Sequence, residues 1–436
     1  MTLCNFFVHC TLHHTGGAWG PVDTMTDKAG RSRNSLESDV LIVGGGLAGG
    51  VMACAVAQSG LSAVVVDIED PQTVLAAGFD GRASAISLSS RRLLEGIGAW
   101  PTMEPEACPM LDIRVADGRS PLFLHYDHND IGDEPFGHMI ENRVIRRALI
   151  ERMRSLDGVQ LLAPARLIRL ERGSGGVEGE LADGATVFAR LAVAADGRGS
   201  RVRSGAGIGL TRWSYRQVGI VCTVAHERPH DNVAHEHFLP AGPFAILPLN
   251  GNRSSIVWTE REDLAPALMA LDEAGFTSEL RQRFGDFLGD LSVVGPRWSY
   301  PLSLQFAERY IDRRLVLIGD AAHGMHPIAG QGLNIGYRDV AALAEVLADA
   351  RRLGYDIGDG TVLARFERWR RFDNTLMLAM TDALNRLFSN DIAPIRLARD
   401  VGLAAVNRLP PLKRLFMRHA MGVVGELPRL MRGQPL

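Results

Sequence analysis

The stretch that most restricts what this chain can fold into is Asp39–Asp67, DVLIVGGGLAGGVMACAVAQSGLSAVVVD. Val40, Leu41, Ile42 and Val43 form an unbroken apolar run, the pattern of a strand covered on both faces of a parallel sheet. It runs directly into Gly44-Gly45-Gly46-Leu47-Ala48-Gly49. In this G-x-G-x-x-G the glycines permit a tight turn, close approach of a pyrophosphate to bare N–H groups, and close helix–strand packing. Leu47–Ala57 is small and apolar, as a helix buried against a sheet must be, and Gly60 supplies its C-terminal stop. Ala63–Val66 is a second strand ending at Asp67. That acid lies 18 residues beyond Gly49, close to the spacing of about 20 expected of a carboxylate that binds an adenosine ribose. Strand, glycines, helix, strand and acid in this order predict a dinucleotide site touched by Gly44, Gly46, Leu47, Ala48, Gly49 and Asp67.

Which dinucleotide it holds is decided by two distant segments. Leu191–Ala195 is another apolar strand that ends in an acid and a glycine, Asp196-Gly197, followed by Arg198, Ser200, Arg201 and Arg203. Alone it reads equally well as a strand with a tight turn and a solvated basic face. Leu315–Ile318 is a third such run, stopped by Gly319-Asp320, and ligands of open α/β sheets bind at that strand edge. Gly330, Gln331 and Gly332 then leave bare N–H groups where a helix begins, continuing through Leu333 and Asn334. Gly336, Val340, Leu343 and Leu347 recur on one face of it. The positive end of that helix suits the N1–C2=O edge of an isoalloxazine. Three strand-end sites between Gly44 and Asp320 fit a ligand as long as FAD better than a nicotinamide nucleotide.

The 436 residues, 46% hydrophobic, are enough for two or three domains. Cys4, Cys10, Cys54, Cys108 and Cys222 are odd in number and form no C-x-x-C pair, which excludes a disulfide framework or zinc ribbon and favours a reducing, cytoplasmic setting. No apolar run approaches the ~18 residues of a bilayer span. A net charge of −3 offers nucleic acid no broad attraction, but residues 401–436 carry six Arg or Lys against Glu426, a net of +5. A basic tail on an acidic body points to the inner, anionic face of the cytoplasmic membrane as a peripheral partner. From about Gly360 the chain reads as helical, with Arg365, Arg368, Arg370 and Arg371 on solvated faces. After Pro410-Pro411, Leu412, Leu415, Phe416 and Val423 share one face of a short basic helix suited to a membrane surface or to its own domain. Residues 1–37 lack any period and read as a disordered or misassigned extension; translation from Met25 is an alternative start. The Cys4, His9, Cys10, His13 and His14 spacing fits no common metal site.

On these motifs the sequence resembles the group A flavoprotein monooxygenases of the p-hydroxybenzoate hydroxylase type over roughly residues 38 to 400. The motifs are Gly44, Gly46 and Gly49, then Asp196-Gly197, then Gly319-Asp320. Within that group GDAAH, HPIAGQGLN and RDVAAL, with Arg82 in DGRASAIS and Asn142-Arg143 in IENRVIRRAL, resemble the ubiquinone-biosynthesis hydroxylases of polyprenylated phenols. Gly242-Pro243-Phe244, Leu247-Pro248 and Tyr300-Pro301-Leu302 point the same way, while Tyr337 stands where a smaller aliphatic residue is expected.

The resemblance implies an α/β Rossmann-like FAD-binding domain with an inserted, mostly antiparallel β substrate domain and a helical C-terminal part. The FAD domain would comprise 38–111, 140–211 and 300–350, the substrate domain 112–139 and 212–299, and the helical region 351–436. It further implies that Asp67 binds the adenosine ribose, Arg143 the pyrophosphate and Asp320 the ribityl chain. Gly332, Leu333 and Asn334 would present backbone to the flavin ring, with Arg82 nearby. Asp196 and Gly197 would serve FAD and the nicotinamide donor, and Pro327 would face the phenol. In the implied reaction NAD(P)H reduces FAD, O₂ adds at flavin C4a, and the hydroperoxide passes an OH to an electron-rich ring. The partners implied are a lipophilic polyprenylphenol, a ubiquinone-biosynthesis complex and a second copy of the chain.

Gln217–Val224 and Ser255–Thr259 are β-rich and fit a sheet over the reacting side of the flavin, with Phe244, Leu247 and Pro248 as its apolar wall or as ordinary sheet core. His323 and His326 have no acid or third ligand near them in sequence, so no metal is expected. His323 is left with loop shaping or phenol proton transfer. Three rival readings share the motifs: a hydroxylase of a small soluble aromatic, a prenyl reductase, and a non-catalytic FAD-binding subunit of a membrane complex.

Overall fold

A computed structural model describes residues 24–26, 32–76, 78–118, 123–326, 330–388, 402, 406 and 408–436. The apolar run at 40–43 lies at the centre of a nine-stranded sheet. Its parallel part is ordered Leu315–Leu317, Thr186–Ala194, Ser32–Val43, Ala63–Val66, Val159–Leu162. Val40, Leu41, Ile42, Leu191, Ala192, Val193, Leu315, Val316 and Leu317 are wholly buried. Such runs without alternation mark strands covered by helices on both faces. Leu47–Gln58 has no polar side and is buried from Gly49 to Val56, packing against both Asn142–Arg154 and Gln331–Arg352.

The strand that carries the apolar run begins at Ser32, inside the 1–37 segment read as an extension. Ser35–Ser38 pair with Thr186–Ala189, and Thr24–Thr26 pair with Ser32–Asn34. A polar segment carries no apolar signal, yet its backbone groups complete the ladder of a neighbouring strand. Residues 1–23 and 27–31, with Cys4, His9, Cys10, His13 and His14, lie outside the described residues.

A second, eight-stranded sheet is ordered His323–Gly324, Leu291–Ala307, Leu210–His226, Arg253–Arg261, Gly242–Leu249, Val233–Leu239, Asp112–Asp117, Phe123–Asp127. It is antiparallel throughout except where Val233–Leu239 meets Asp112–Asp117. Helix Glu273–Phe284 closes one face, packing Phe276, Leu280 and Phe284 on Ile220, Cys222, Phe244, Ile246, Ile256 and Trp258. That leaves the other face free. A three-stranded sheet, Ala83–Ser87, Gly137–Glu141 and Cys108–Met110, lies beside it.

In the C-terminal part, Gly360–Phe388 and Pro410–Ala420 are helices, and no described helix is long and apolar enough to cross a membrane. Two details correct the sequence reading. Arg370 is not solvated: it is 1% exposed and donates to Asp339, because its helix turns that face onto Gln331–Arg352. Val423 lies beyond the end of the basic helix at Ala420 and so does not share its face.

Candidate active site

A cavity of about 1370 Å³ lies between the C-terminal ends of the parallel strands and the free face of the second sheet. One end is bordered by Gly46, Leu47, Ala48, Ala195, Gly197, Gly319, Asp320 and Gly330–Asn334. The three strand ends singled out in the sequence therefore meet at one place. The volume exceeds the 300–1,000 Å³ usual for one small ligand, so it has room for a cofactor and a substrate together.

The fingerprint glycines fall into two kinds. A Cβ on Gly49 would sit 1.8 Å from the Gly44 carbonyl oxygen, and one on Gly44, where φ is +98°, would sit 2.5 Å from that of Ala195. These two let the helix and strand approach. A Cβ on Gly46, Gly197 or Gly332 meets nothing within 4 Å. Open space over bare backbone at a helix N-terminus is the cradle a phosphorylated cofactor needs, so the residues present fit FAD.

Asp67 supports that cradle: one carboxylate oxygen accepts from Gly45 N–H and the other from Glu69 N–H at 2.8 Å. Asp67 also borders a shallow annex of the site with Glu69, Pro71, Val74 and Arg146. Asp196 accepts from Ser200 Oγ and from Val202 N–H, fastening the turn that leaves Gly197 in the cavity wall; its own side chain does not border the cavity. Asp320 does border it, half exposed, 3.7 Å from the Arg198 guanidinium. Asn334 locks the helix start to the neighbouring strand: its amide donates to Ala85 C=O and Gly330 C=O, and its carbonyl accepts from Ser87 N–H at 2.9 Å.

Other candidates lie elsewhere. Arg143 is paired with Glu141 at 2.6 Å and does not border the cavity, whereas Arg146 borders both the cavity and the annex. The two share one helix, three residues apart, so helical spacing held the signal that would have found Arg146. Arg82 pairs with Asp80 and stacks 4.9 Å from the Trp298 ring, while its neighbours Ala83, Ser84 and Ala85 form the wall. Of the proposed apolar wall only Leu247 borders the cavity; Phe244 points to the opposite face beneath helix Glu273–Phe284, and Pro248 also does not border it. Pro327 lies outside the described residues.

His323 is 2% exposed, turned from the cavity, with Nε2 2.5 Å from Asp339 Oδ2. Asp339 is wholly buried and also accepts from Gly319 N–H, Arg370 and Asn374. Burial alone would raise its carboxyl pKa; the charge and hydrogen bond of His323 and the charge of Arg370 outweigh that and hold it well below the usual range. Through Gly319 this network fixes the strand end that carries Asp320. His326 is buried, neither ring nitrogen has a hydrogen-bond partner among the described residues, and burial lowers its pKa to about 4. Asp339 lies in the RDVAAL stretch, but no local signal gives its role, since its partner Arg370 is 31 residues on in another helix.

Comparison with known proteins agrees with this geometry. Residues 37–354 match the FAD binding domain family model. The chain is similar to the ubiquinone hydroxylase UbiL of Rhodospirillum rubrum, 59% identical over 96% of both chains. It is 35% identical to the 3-demethoxyubiquinol 3-hydroxylase of Escherichia coli, over 88% of this chain and 99% of that one. The fold is similar to that of the p-nitrophenol 4-monooxygenase PnpA of Pseudomonas putida, with a TM-score of 0.74 at 20% identity, over 89% of this chain and 98% of that one. A glycine cradle joined to an apolar cavity, a family model covering most of the chain and relatives aligned nearly end to end give one conclusion: the chain belongs to the FAD-binding-domain monooxygenases, among the ubiquinone-biosynthesis hydroxylases.

Proposed function

We propose that this protein is an FAD-dependent monooxygenase that uses NAD(P)H and O₂ to hydroxylate the ring of a polyprenylated phenol in ubiquinone biosynthesis. The observation that supports this most is the continuity of the cavity. Its wall includes the glycine cradle, the apolar face formed by Val221, Ala245, Leu247 and Val257, and Met377, Met380 and Phe388 of the C-terminal helix. A small charged aromatic would need far less apolar wall.

When bound, FAD supplies the chemistry that takes reducing equivalents from NAD(P)H and delivers one oxygen atom to the ring. The chain's own residues bind, orient and exclude water. In this reading the turn that Gly44 and Gly49 hold tight admits the pyrophosphate over Gly46, with Arg146 or Arg143 opposite its charge, and Asp67 accepts from the adenosine ribose. Asp320 accepts from the ribityl chain. The Gly330–Asn334 backbone would face the ring edge, and Pro327 keeps the role of facing the phenol that the family resemblance implies. We also assign 38–111, 140–211 and 300–350 to the cofactor-binding part and 112–139 with 212–299 to the substrate-binding part. The basic helix Pro410–Ala420 would rest on the anionic inner surface of the cytoplasmic membrane, where the lipophilic substrate resides.

The purified protein is expected to be yellow and to consume NAD(P)H and O₂ when given a prenylated phenol. A colourless protein that also fails to bind added FAD overturns the reading.

A further inference from the structure

Two carboxylates border the cavity among the described residues, Asp320 and Glu236. Asp320 belongs to the cofactor end and lies near Arg198. Glu236 stands alone in the apolar wall. Sheet register places Leu124, Val115, Glu236, Ala245, Val257 and Val221 in one row across adjacent strands, and all six border the cavity. Along its own strand the residues on the same face are Ala234 and Phe238, which border it as well. Among the described residues no hydrogen bond or ion pair reaches the Glu236 carboxylate, and burial is the one influence on its acidity.

An unpartnered carboxylate in an apolar wall costs stability unless something other than the protein bonds to it. A phenol hydroxyl is the polar group that an otherwise lipophilic ring brings into this cavity. We propose that Glu236 is a catalytic residue: it accepts the hydrogen bond of the substrate's phenol O–H and takes that proton as the ring is attacked. The O–H bond breaks, the proton goes to a carboxylate oxygen, and the electron pair stays on the phenol oxygen, enriching the ortho and para carbons. After oxygen transfer the attacked carbon gives up its hydrogen as a proton to water, the C–H electron pair stays in the ring and makes it aromatic again, and Glu236 returns its own proton to the phenol oxygen. This rests on the phenol-hydroxylase reading above.

Burial pushes the Glu236 acid up to about 7, so both its forms exist near neutrality, as a group that takes and returns a proton requires. The strand neighbours opposite it, Val115 and Ala245, are uncharged. His235 also borders the cavity, but its ring packs against Phe287, and it and His237 follow the other side of the strand's alternation, as does Arg114 opposite His235. The remaining titratable or charged groups on the cavity are Arg146, Arg198, Asp320 and Tyr300 on the cofactor side, Tyr126 beyond Ile113, and His419 of helix Pro410–Ala420.

The test uses the full FAD-loaded chain, a short-prenyl phenol and its methyl ether. In Glu236→Gln, kcat for hydroxylation should fall by about 10²-fold or more. The acidic limb of kcat near pH 7 should vanish, while phenol Kd stays within about threefold of the parent's value below neutrality, where Glu236 is protonated. A variant with the parent's rate and the same acidic limb overturns the proposal. A second measurement needs no variant: the parent should bind the phenol more tightly as pH rises through about 7, while ether binding stays flat. Equal pH dependence for the two ligands also overturns it. A parent that hydroxylates no phenol defeats the functional reading itself; a parent that does, matched by Glu236→Gln, defeats the Glu236 assignment alone.

Discussion

Gly46 and Gly49 sit three residues apart in one motif but are constrained by different things. Gly49 has no room, since a methyl group would overlap the Gly44 carbonyl, and Gly46 has room that the ligand must use. Gly49→Ala should therefore lower stability by at least ~1–3 kcal/mol, measured by urea unfolding of the apoprotein. Gly46→Val should leave that stability nearly unchanged and weaken FAD binding about tenfold or more, read by fluorescence titration. Asp339 is limited by charge instead. Asp339→Asn leaves His323 and Arg370 without their shared anion in a buried place, and a loss of about 3–5 kcal/mol at pH 7 is expected. Its folded pKa is depressed, so the stabilisation is present above the ordinary carboxylate pKa near 4 and is lost as pH falls from there toward the folded value. The gap between parent and Asp339→Asn unfolding energies should accordingly narrow below about pH 4; a gap that stays constant down to pH 2 contradicts the assignment.

Elements differ in how much of their role could be read in advance. The three strand ends were legible because each carries its whole signal in consecutive residues: an apolar run, a glycine, an acid. Facing was not. Gly242–Leu249 alternates, so either Phe244 or Leu247 could border the cavity, and what decides it is helix Glu273–Phe284 covering the Phe244 side. Arg370 was misread for a similar reason, because its partner is an acid on another helix. The basic helix Pro410–Ala420 is amphipathic, but its faces are not the ones a membrane helix alone would have. Met417 is buried, Lys413 pairs with Asp130 at 2.7 Å, and Leu412 and Leu415 are exposed beside Arg414 and Arg418. Beyond it, Leu430 and Met431 are core residues, so removing the whole tail would confuse docking with unfolding. The cleaner experiment is Leu412→Ser with Leu415→Ser. Each exposed leucine contributes up to ~1.5–3 kcal/mol when inserted in lipid, so the pair should lower partition to anionic vesicles by about tenfold or more. Thermal stability should be unchanged, and unaltered vesicle binding would remove the membrane role from this helix.

At the scale of the whole molecule, the cavity is a product of every layer. The parallel sheet supplies the cradle, the second sheet the apolar wall, and the C-terminal helices the far end, where Met380, Leu387, Val406 and Phe416 border it. No single stretch of sequence carries that enclosure, because its lining comes from residues 46 to 420 and most of the apolar ones look like ordinary core. If the cradle end holds the cofactor and the wall holds the ring, the far end is left for the prenyl tail. Binding there would act on affinity through buried area and leave the reacting end untouched. Met380→Trp adds bulk at that end alone. Turnover of a phenol with a single prenyl unit should stay within about twofold of the parent, because the short tail stops before the obstruction. For a phenol bearing a long polyprenyl chain, kcat/KM should fall by ~10–200-fold, the range set by excluding a methylene or more from an apolar pocket. Equal losses on both substrates would mean that residue 380 acts through the fold, and equal retention would mean that the tail leaves the cavity by another route.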